Sequence, residues 1–177
     1  MIWLEKPEIG SPPLARGTLN DISDEFLKNL SLNSREITYD NQYNKNSHKE
    51  ETFIGKWLYE TFGGTIHHID ETNVYGRKSA DYLWNDELWD LKTISSEKAV
   101  DSALRHGIKQ IKSNPGGIIL WDIYDNLDTQ EILQRAQYRL LRSARIDMKI
   151  ILLHGKKRYK IYQYKVKKIA KSLNPHQ

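Results

Sequence analysis

With 177 residues, 38% hydrophobic and 28% charged side chains, five Trp and ten Tyr, the chain is the size of one domain and can bury a core, which excludes wholesale disorder. The absence of cysteine removes disulfides, thiolate zinc sites and cysteine nucleophiles, leaving carboxylates and histidines as candidate metal ligands. The formal net charge of +4 is uneven: residues 1–47 carry 5 basic and 7 acidic side chains, residues 48–147 carry 13 and 16, and residues 148–177 carry 9 and none, so the C-terminal end reads as built to meet a polyanion such as nucleic acid, or else as a solubilising basic terminus. No apolar run approaches the roughly 18 residues of a spanning helix and the start lacks a signal-peptide pattern, so no membrane segment and a cytoplasmic site of action are expected.

Residues 1–47 contain Pro7, Pro12 and Pro13, a short amphipathic stretch around Ile22, Phe26, Leu27 and Leu30, and the polar run TYDNQYNKNS. They read as an appended N-terminal segment, with the main domain spanning 48–177. From Ser47, a capping serine, first-turn glutamates, Ile54, Trp57, Leu58 and Phe62 at helical spacing and a closing Gly pair predict a helix. A strand, TIHHIDE, follows, and then SADYLW and ELWDLKT, a hairpin turning at Asn85 and Asp86. SEKAVDSALRHGIKQIKS has one apolar stripe and reads as a second helix, NPGG as a turn, and GIILWDIY as a buried strand. TQEILQRAQYRLLRSA is a third helix, and MKIILLH, GKK and RYKIYQY form a second hairpin. Alternating helices and strands of this kind predict an α/β fold with a mixed central sheet flanked by helices.

The hairpin register carries the chemistry. A turn centred on Asn85 and Asp86 pairs Trp84 with Glu87, Leu83 with Leu88, Tyr82 with Trp89 and Asp81 with Asp90. Cross-strand partners lie about 5 Å apart at Cβ, and two aspartates so placed repel unless a cation sits between them. Strand alternation puts Lys92 on the face of Asp90. Two carboxylates and an amine therefore converge: the carboxylate oxygens suit Mg²⁺ or Mn²⁺, with Zn²⁺ as the alternative, and the amine suits phosphoryl chemistry, the other reading being a surface ion pair of Asp90 with Lys92 beside a solvated Asp81. His67 and His68 point to opposite faces and cannot share an ion.

These residues are similar to the PD-(D/E)XK nuclease pattern, with Ala80-Asp81 at its proline-aspartate position and Asp90-Leu91-Lys92 as its (D/E)XK triplet. HKE, GKWLYETFGG, KSADYLWNDELWDLKT, DSALRHGIKQI and NPGGIIL resemble the C-terminal tRNA nuclease domains of contact-dependent inhibition (CdiA-type) toxins, over about residues 48–124. The resemblance implies a PD-(D/E)XK nuclease-like fold and a metal-dependent endoribonuclease toxin that cleaves tRNA, is delivered into a target cell as part of a larger protein, and has a cognate immunity protein. A DNA endonuclease of the same fold is the nearest alternative, and a non-catalytic nucleic-acid-binding or phage-assembly module the next. Asp81, Asp90 and a helical glutamate would hold the metal and Lys92 would position the water. Glu50 is taken as that glutamate, with Glu51 competing.

Substrate contacts are expected from Arg105, His106, Lys109 and Gln110 on the second helix, Arg139 on the third and Lys157 in the last hairpin. Arg135, Arg139, Arg142 and Arg145 form either a phosphate-tracking face or an ordinary solvated one. In the last hairpin, Tyr159, Tyr162 and Tyr164 among Lys156, Lys157, Arg158, Lys160 and Lys165 either stack bases or pack inward behind edge lysines.

Overall fold

The computed structural model describes residues 17–30, 35–70, 79–144 and 146–167. In chain order the elements are β1 (Gly17–Asp21), α1 (Ser23–Lys28), β2 (Arg35–Tyr39), α2 (Lys49–Phe62), β3 (Gly64–His68), β4 (Tyr82–Trp84), β5 (Glu87–Ile94), α3 (Ala99–Ile111), β6 (Pro115–Asp122), α4 (Thr129–Ser143), β7 (Met148–His154) and β8 (Arg158–Val166). The strands form one mixed, eight-stranded sheet in the order β1-β8-β7-β6-β5-β4-β3-β2. At its centre β5, β6 and β7 run parallel, joined by α3 and α4 as crossovers, while the β4–β5 and β7–β8 hairpins extend it on either side.

Two apolar layers hold the sheet. Ile54, Leu58 and Phe62 of α2 cover one face with Ile66, Trp84, Trp89, Leu91 and Ile119, and Phe26 of α1 joins them. Val100, Leu104 and Ile111 of α3 and Ile132, Ala136 and Leu140 of α4 cover the other, over Ile94, Ile118, Leu120, Ile150 and Leu152. Each Val, Leu, Ile or Phe among them contributes roughly 1.5–3 kcal/mol when fully buried. The stripes read at helical spacing in all three long helices are the faces that pack.

Local signals set most boundaries, with two displacements: β6 starts at Pro115, inside the NPGG read as a turn, and ends at Asp122, and the cap of α2 moves by one residue. Gly63 and Gly64 adopt φ of 73° and 85°, which ends α2 and starts β3 within two residues. Asp128 caps α4 by accepting from the Glu131 amide at 2.9 Å. The serine expected to cap α2 does not: the N-cap is His48, and the Ser47 hydroxyl donates to Asn44 O at 3.1 Å, closing the preceding turn. The stretch before residue 48, read as an appendage, contributes both sheet edges, since β1 pairs antiparallel with β8 and β2 parallel with β3. Pro7, Pro12, Pro13, Arg145 and the basic residues Lys168 and Lys171 lie outside the described residues.

Candidate metal centre

The β4–β5 hairpin has the register that its sequence predicts: Tyr82 opposite Trp89, Leu83 opposite Leu88, Trp84 opposite Glu87. Asn85 and Asp86 take φ of 50° and 65°, the left-handed pair of a tight two-residue turn, and Asn85 Oδ1 accepts from the Thr65 amide at 3.0 Å. The ladder continues one step further, with the Asp81 amide donating to Trp89 O at 3.1 Å, which brings Asp81 beside Asp90. Asp81 Oδ2 also accepts from the Leu91 amide at 2.7 Å, so its carboxylate is pinned between the strands.

Both carboxyls are buried, Asp81 to 7% and Asp90 to 1% exposure. Burial, and then the neighbouring charge of Asp90, pushes the Asp81 carboxyl well above the usual range. Burial raises Asp90 as well, with Lys92 pulling the other way. The two therefore share the cost of being charged together, as a close carboxyl pair does without a cation. Lys92 Nζ lies 2.9 Å from Asp90 Oδ2 and donates to Gln110 Oε1 at 3.0 Å. The ion pair with Lys92 is what Asp90 Oδ2 has among the described residues; no backbone amide or hydroxyl donates to that oxygen. A buried carboxylate oxygen with an open lone pair, beside a second buried carboxyl, fits a hard divalent cation.

Helix α3 comes unusually close above this oxygen because of Gly107. A Cβ there would stand 2.7 Å from Ile118 Cδ1 and 3.6 Å from Asp90 Oδ2, so a side chain would push the helix off the centre. That approach is what lets Gln110, one turn on, reach Lys92. Of the other substrate-contact candidates, Arg105, His106 and Lys109 lie on the exposed side of α3. Arg139 is engaged elsewhere: its Nε and Nη2 donate to Asp101 at 2.7 and 2.8 Å, a bidentate bond that ties α4 to α3 and holds the Asp101 carboxyl below its ordinary range. Arg135 is likewise bonded to Glu131. Lys157 is exposed in the turn between β7 and β8.

The helical glutamate is where the structure departs from the expected constellation. Glu50 is exposed at the start of α2, whereas Glu51 is half-buried and its charge reaches Asp81. The Tyr82 hydroxyl donates to Glu51 O at 2.5 Å and fixes that turn of helix beside the aspartates. Tyr43, which no sequence signal singled out, borders the same place: its hydroxyl is raised by burial first and then by Glu51 and Asp81.

A second polar cluster, also unforeseen, stands at the C-terminal ends of β6 and β7. Asp122 Oδ2 is 2.7 Å from His154 Nδ1, and His154 Nε2 is 3.0 Å from Thr129 Oγ1. With Asp125 these residues place one ligand atom each within 4.8 Å of one another. Asp122 and His154 are already bonded within the protein, while Asp125 is exposed. Asp122 accepts from the Asn126 and Leu127 amides at 3.4 and 3.1 Å, and Arg158 Nη2 donates to Asp125 at 2.5 Å. As expected, His67 and His68 diverge: His67 Nε2 bonds Asp40 at 2.6 Å, while His68 stacks on Tyr39.

No family model and no curated protein matches the sequence. Among solved structures, the chain is similar to the CdiA-CT/CdiI toxin and immunity complex from Burkholderia pseudomallei, at 12% identity over 71% of this chain and 97% of that one, with a TM-score of 0.49. Among the described residues no helix is long and apolar enough to cross a membrane.

Proposed function

We propose that this domain is a metal-dependent phosphodiesterase acting on nucleic acid, and within that class a tRNA-cleaving toxin. The observation that carries the reading is the buried pair of carboxyls, Asp81 against Asp90, with Lys92 Nζ 2.9 Å from Asp90 Oδ2 and no backbone amide on that oxygen. Asp81 and Asp90 would hold Mg²⁺ or Mn²⁺, with Glu51 at the open side. Bound there, such an ion supplies Lewis acidity toward the scissile phosphate and an activated nucleophile. Lys92, held by Gln110 at 3.0 Å, presents a fixed ammonium that orients the attacking water and offsets charge developing on the phosphate. Asp81, anchored by the Leu91 amide, keeps its carboxyl in place without rearrangement.

RNA, and tRNA in particular, is favoured over DNA by the resemblance of residues 48–124 to CdiA-type toxins, as are delivery into a target cell and a cognate immunity protein. The exposed bases Arg105, Lys109 and Lys157 supply positive charge for either polymer. The test is to incubate the purified protein with total tRNA and with plasmid DNA, in Mg²⁺ or in chelator, beside Asp90→Asn. Cleavage of tRNA that needs Mg²⁺ and Asp90 supports the reading; cleavage of plasmid alone transfers it to DNA; binding without cleavage of either under Mg²⁺, Mn²⁺ or Zn²⁺ replaces it with a non-catalytic binding module.

A further inference from the structure

The tyrosines of the basic hairpin are not available to bases. Tyr162 and Tyr164 are 8% and 0% exposed, and Tyr159 packs edge-on against Trp57 and Phe62. An exposed ring stands beside that hairpin on a different element. Phe53, two residues after Glu51 on α2, is 38% exposed, and its ring lies 5.4 Å from that of Trp121 at an interplanar angle of 11°. Trp121 is 7% exposed and donates from Nε1 to Gly155 O at 2.7 Å, so the lower ring is fixed to the β7–β8 turn. From the same turn Lys156 Nζ sits 5.8 Å from the centre of the Phe53 ring, and Lys157 follows in the open.

We propose that Phe53, backed by Trp121 and with Lys156 over its open face and Lys157 nearby, is a stacking platform for an unpaired nucleobase of the strand whose phosphate is cut at Asp81, Asp90 and Lys92, the base displacing the Lys156 ammonium; the proposal rests on the nuclease reading of that centre. A parallel aromatic pair offers a flat π-face of the kind on which bases stack irrespective of sequence, and flexible lysines on its rim can leave the ring for the phosphates of an arriving strand. The position fits. Glu51 and Phe53 project from the same end of α2, and Trp121 pairs with Thr93, the residue after Lys92. Trp121 is thus three residues along from the partner of Asp90 and on the opposite face of the sheet, so a strand that reaches both rounds the C-terminal ends of β5 and β6. The substrate class is narrowed accordingly to nucleic acid with an unpaired stretch near the cleaved bond.

The experiment uses a short single-stranded oligoribonucleotide carrying 2-aminopurine, in chelator so that nothing is cut, with the native protein, Phe53→Leu and Phe53→Tyr. Native protein and Phe53→Tyr quench the fluorophore on binding, and Phe53→Leu loses the quench and binds about tenfold more weakly. A blunt duplex without unpaired bases binds native protein and Phe53→Leu equally. If Phe53→Leu binds and quenches like native protein while the latter cleaves in Mg²⁺, the platform is overturned and the nuclease reading stands. If quenching depends on Phe53 but no metal supports cleavage, the platform stands as a binding site and the nuclease reading falls. If native protein neither binds nor cleaves, both are overturned.

Discussion

Two aspartates on adjacent parallel strands, Asp90 on β5 and Asp122 on β6, are equally hidden, at 1% and 0% exposure. They are not equivalent. Asp122 is served by two loop amides and by His154, whose other nitrogen is held by Thr129, so its charge fastens the loop between β6 and α4. Asp90 has a carboxyl partner across the hairpin and, at Oδ2, a lysine at 2.9 Å where Asp122 has loop amides. Burial alone therefore does not distinguish a structural carboxylate from a reactive one; completeness of hydrogen bonding does.

The sharpest way to break that contrast is to substitute both. Asp90→Asn is expected to lower cleavage about a thousandfold while leaving the metal-free fold intact or slightly more stable, because it relieves the repulsion between the two buried carboxyls. Asp122→Asn should do the opposite, costing about 1–3 kcal/mol of folding stability by stranding a buried donor, with cleavage per folded molecule retained. Thermal melts in chelator and initial cleavage rates on the same preparations decide it. The reverse pattern would move the reactive centre to the Asp122 cluster.

His68 sharpens the contrast from another side, since its buried Nε2 lacks a hydrogen-bond partner. A neutral ring tolerates this where a carboxylate does not, and the consequence is pH dependence. Burial first, and then His67, lower the His68 ring from 6.5 to about 4. Between those values the unfolded chain binds the extra proton and the folded one does not, so stability rises with pH across the window and is lost as pH falls from 6.5 to 4. The loss amounts to roughly 3 kcal/mol at most. In urea titrations at several pH values His68→Gln should flatten that acid limb; an unchanged slope would assign it to the carboxylates instead.

Lys92 comes next. Lys92→Ala is expected to reduce kcat about a hundredfold with KM little changed, because Gln110 holds the amine for the chemical step. Gln110→Ala should show a weaker version of the same pattern. A raised KM with kcat intact would make Lys92 a phosphate contact.

What the sequence disclosed follows from the range of the interactions involved. The hairpin was legible because a two-residue turn and a period of two settle a register locally, and the helix stripes because each repeats within one element. The edge strands were not: GTLND and REITY are short, half-exposed and polar, and their partners are β8 and β3, which no local pattern names. The pairing of Asp122 with His154 depends on the parallel register of β6 and β7, again a tertiary property. The alternating lysines and tyrosines of the last hairpin were ambiguous in sequence, because strand alternation gives two faces without saying which one is wet.

The smallest expected effect concerns a one-residue choice. Successive residues on a helix are turned by 100°, so Glu50 and Glu51 face different surroundings. Glu51 is half-buried, its backbone carbonyl held by Tyr82, and its charge raises Asp81; Glu50 is exposed. Adding a third negative charge near two buried carboxyls deepens repulsion in the free protein and attraction for a cation. Glu51→Gln should therefore weaken Mn²⁺ binding about tenfold, in the range found for groups that support metal ligands, and Glu50→Gln should leave it within about twofold. Titration calorimetry with Mn²⁺ reads this without reference to cleavage. The two variants also separate the geometric assignment from a general field effect, since both remove one charge from the same turn: equal losses would mean that only net charge at the helix end matters, and a larger loss for Glu50→Gln would return the ligand role to the exposed residue.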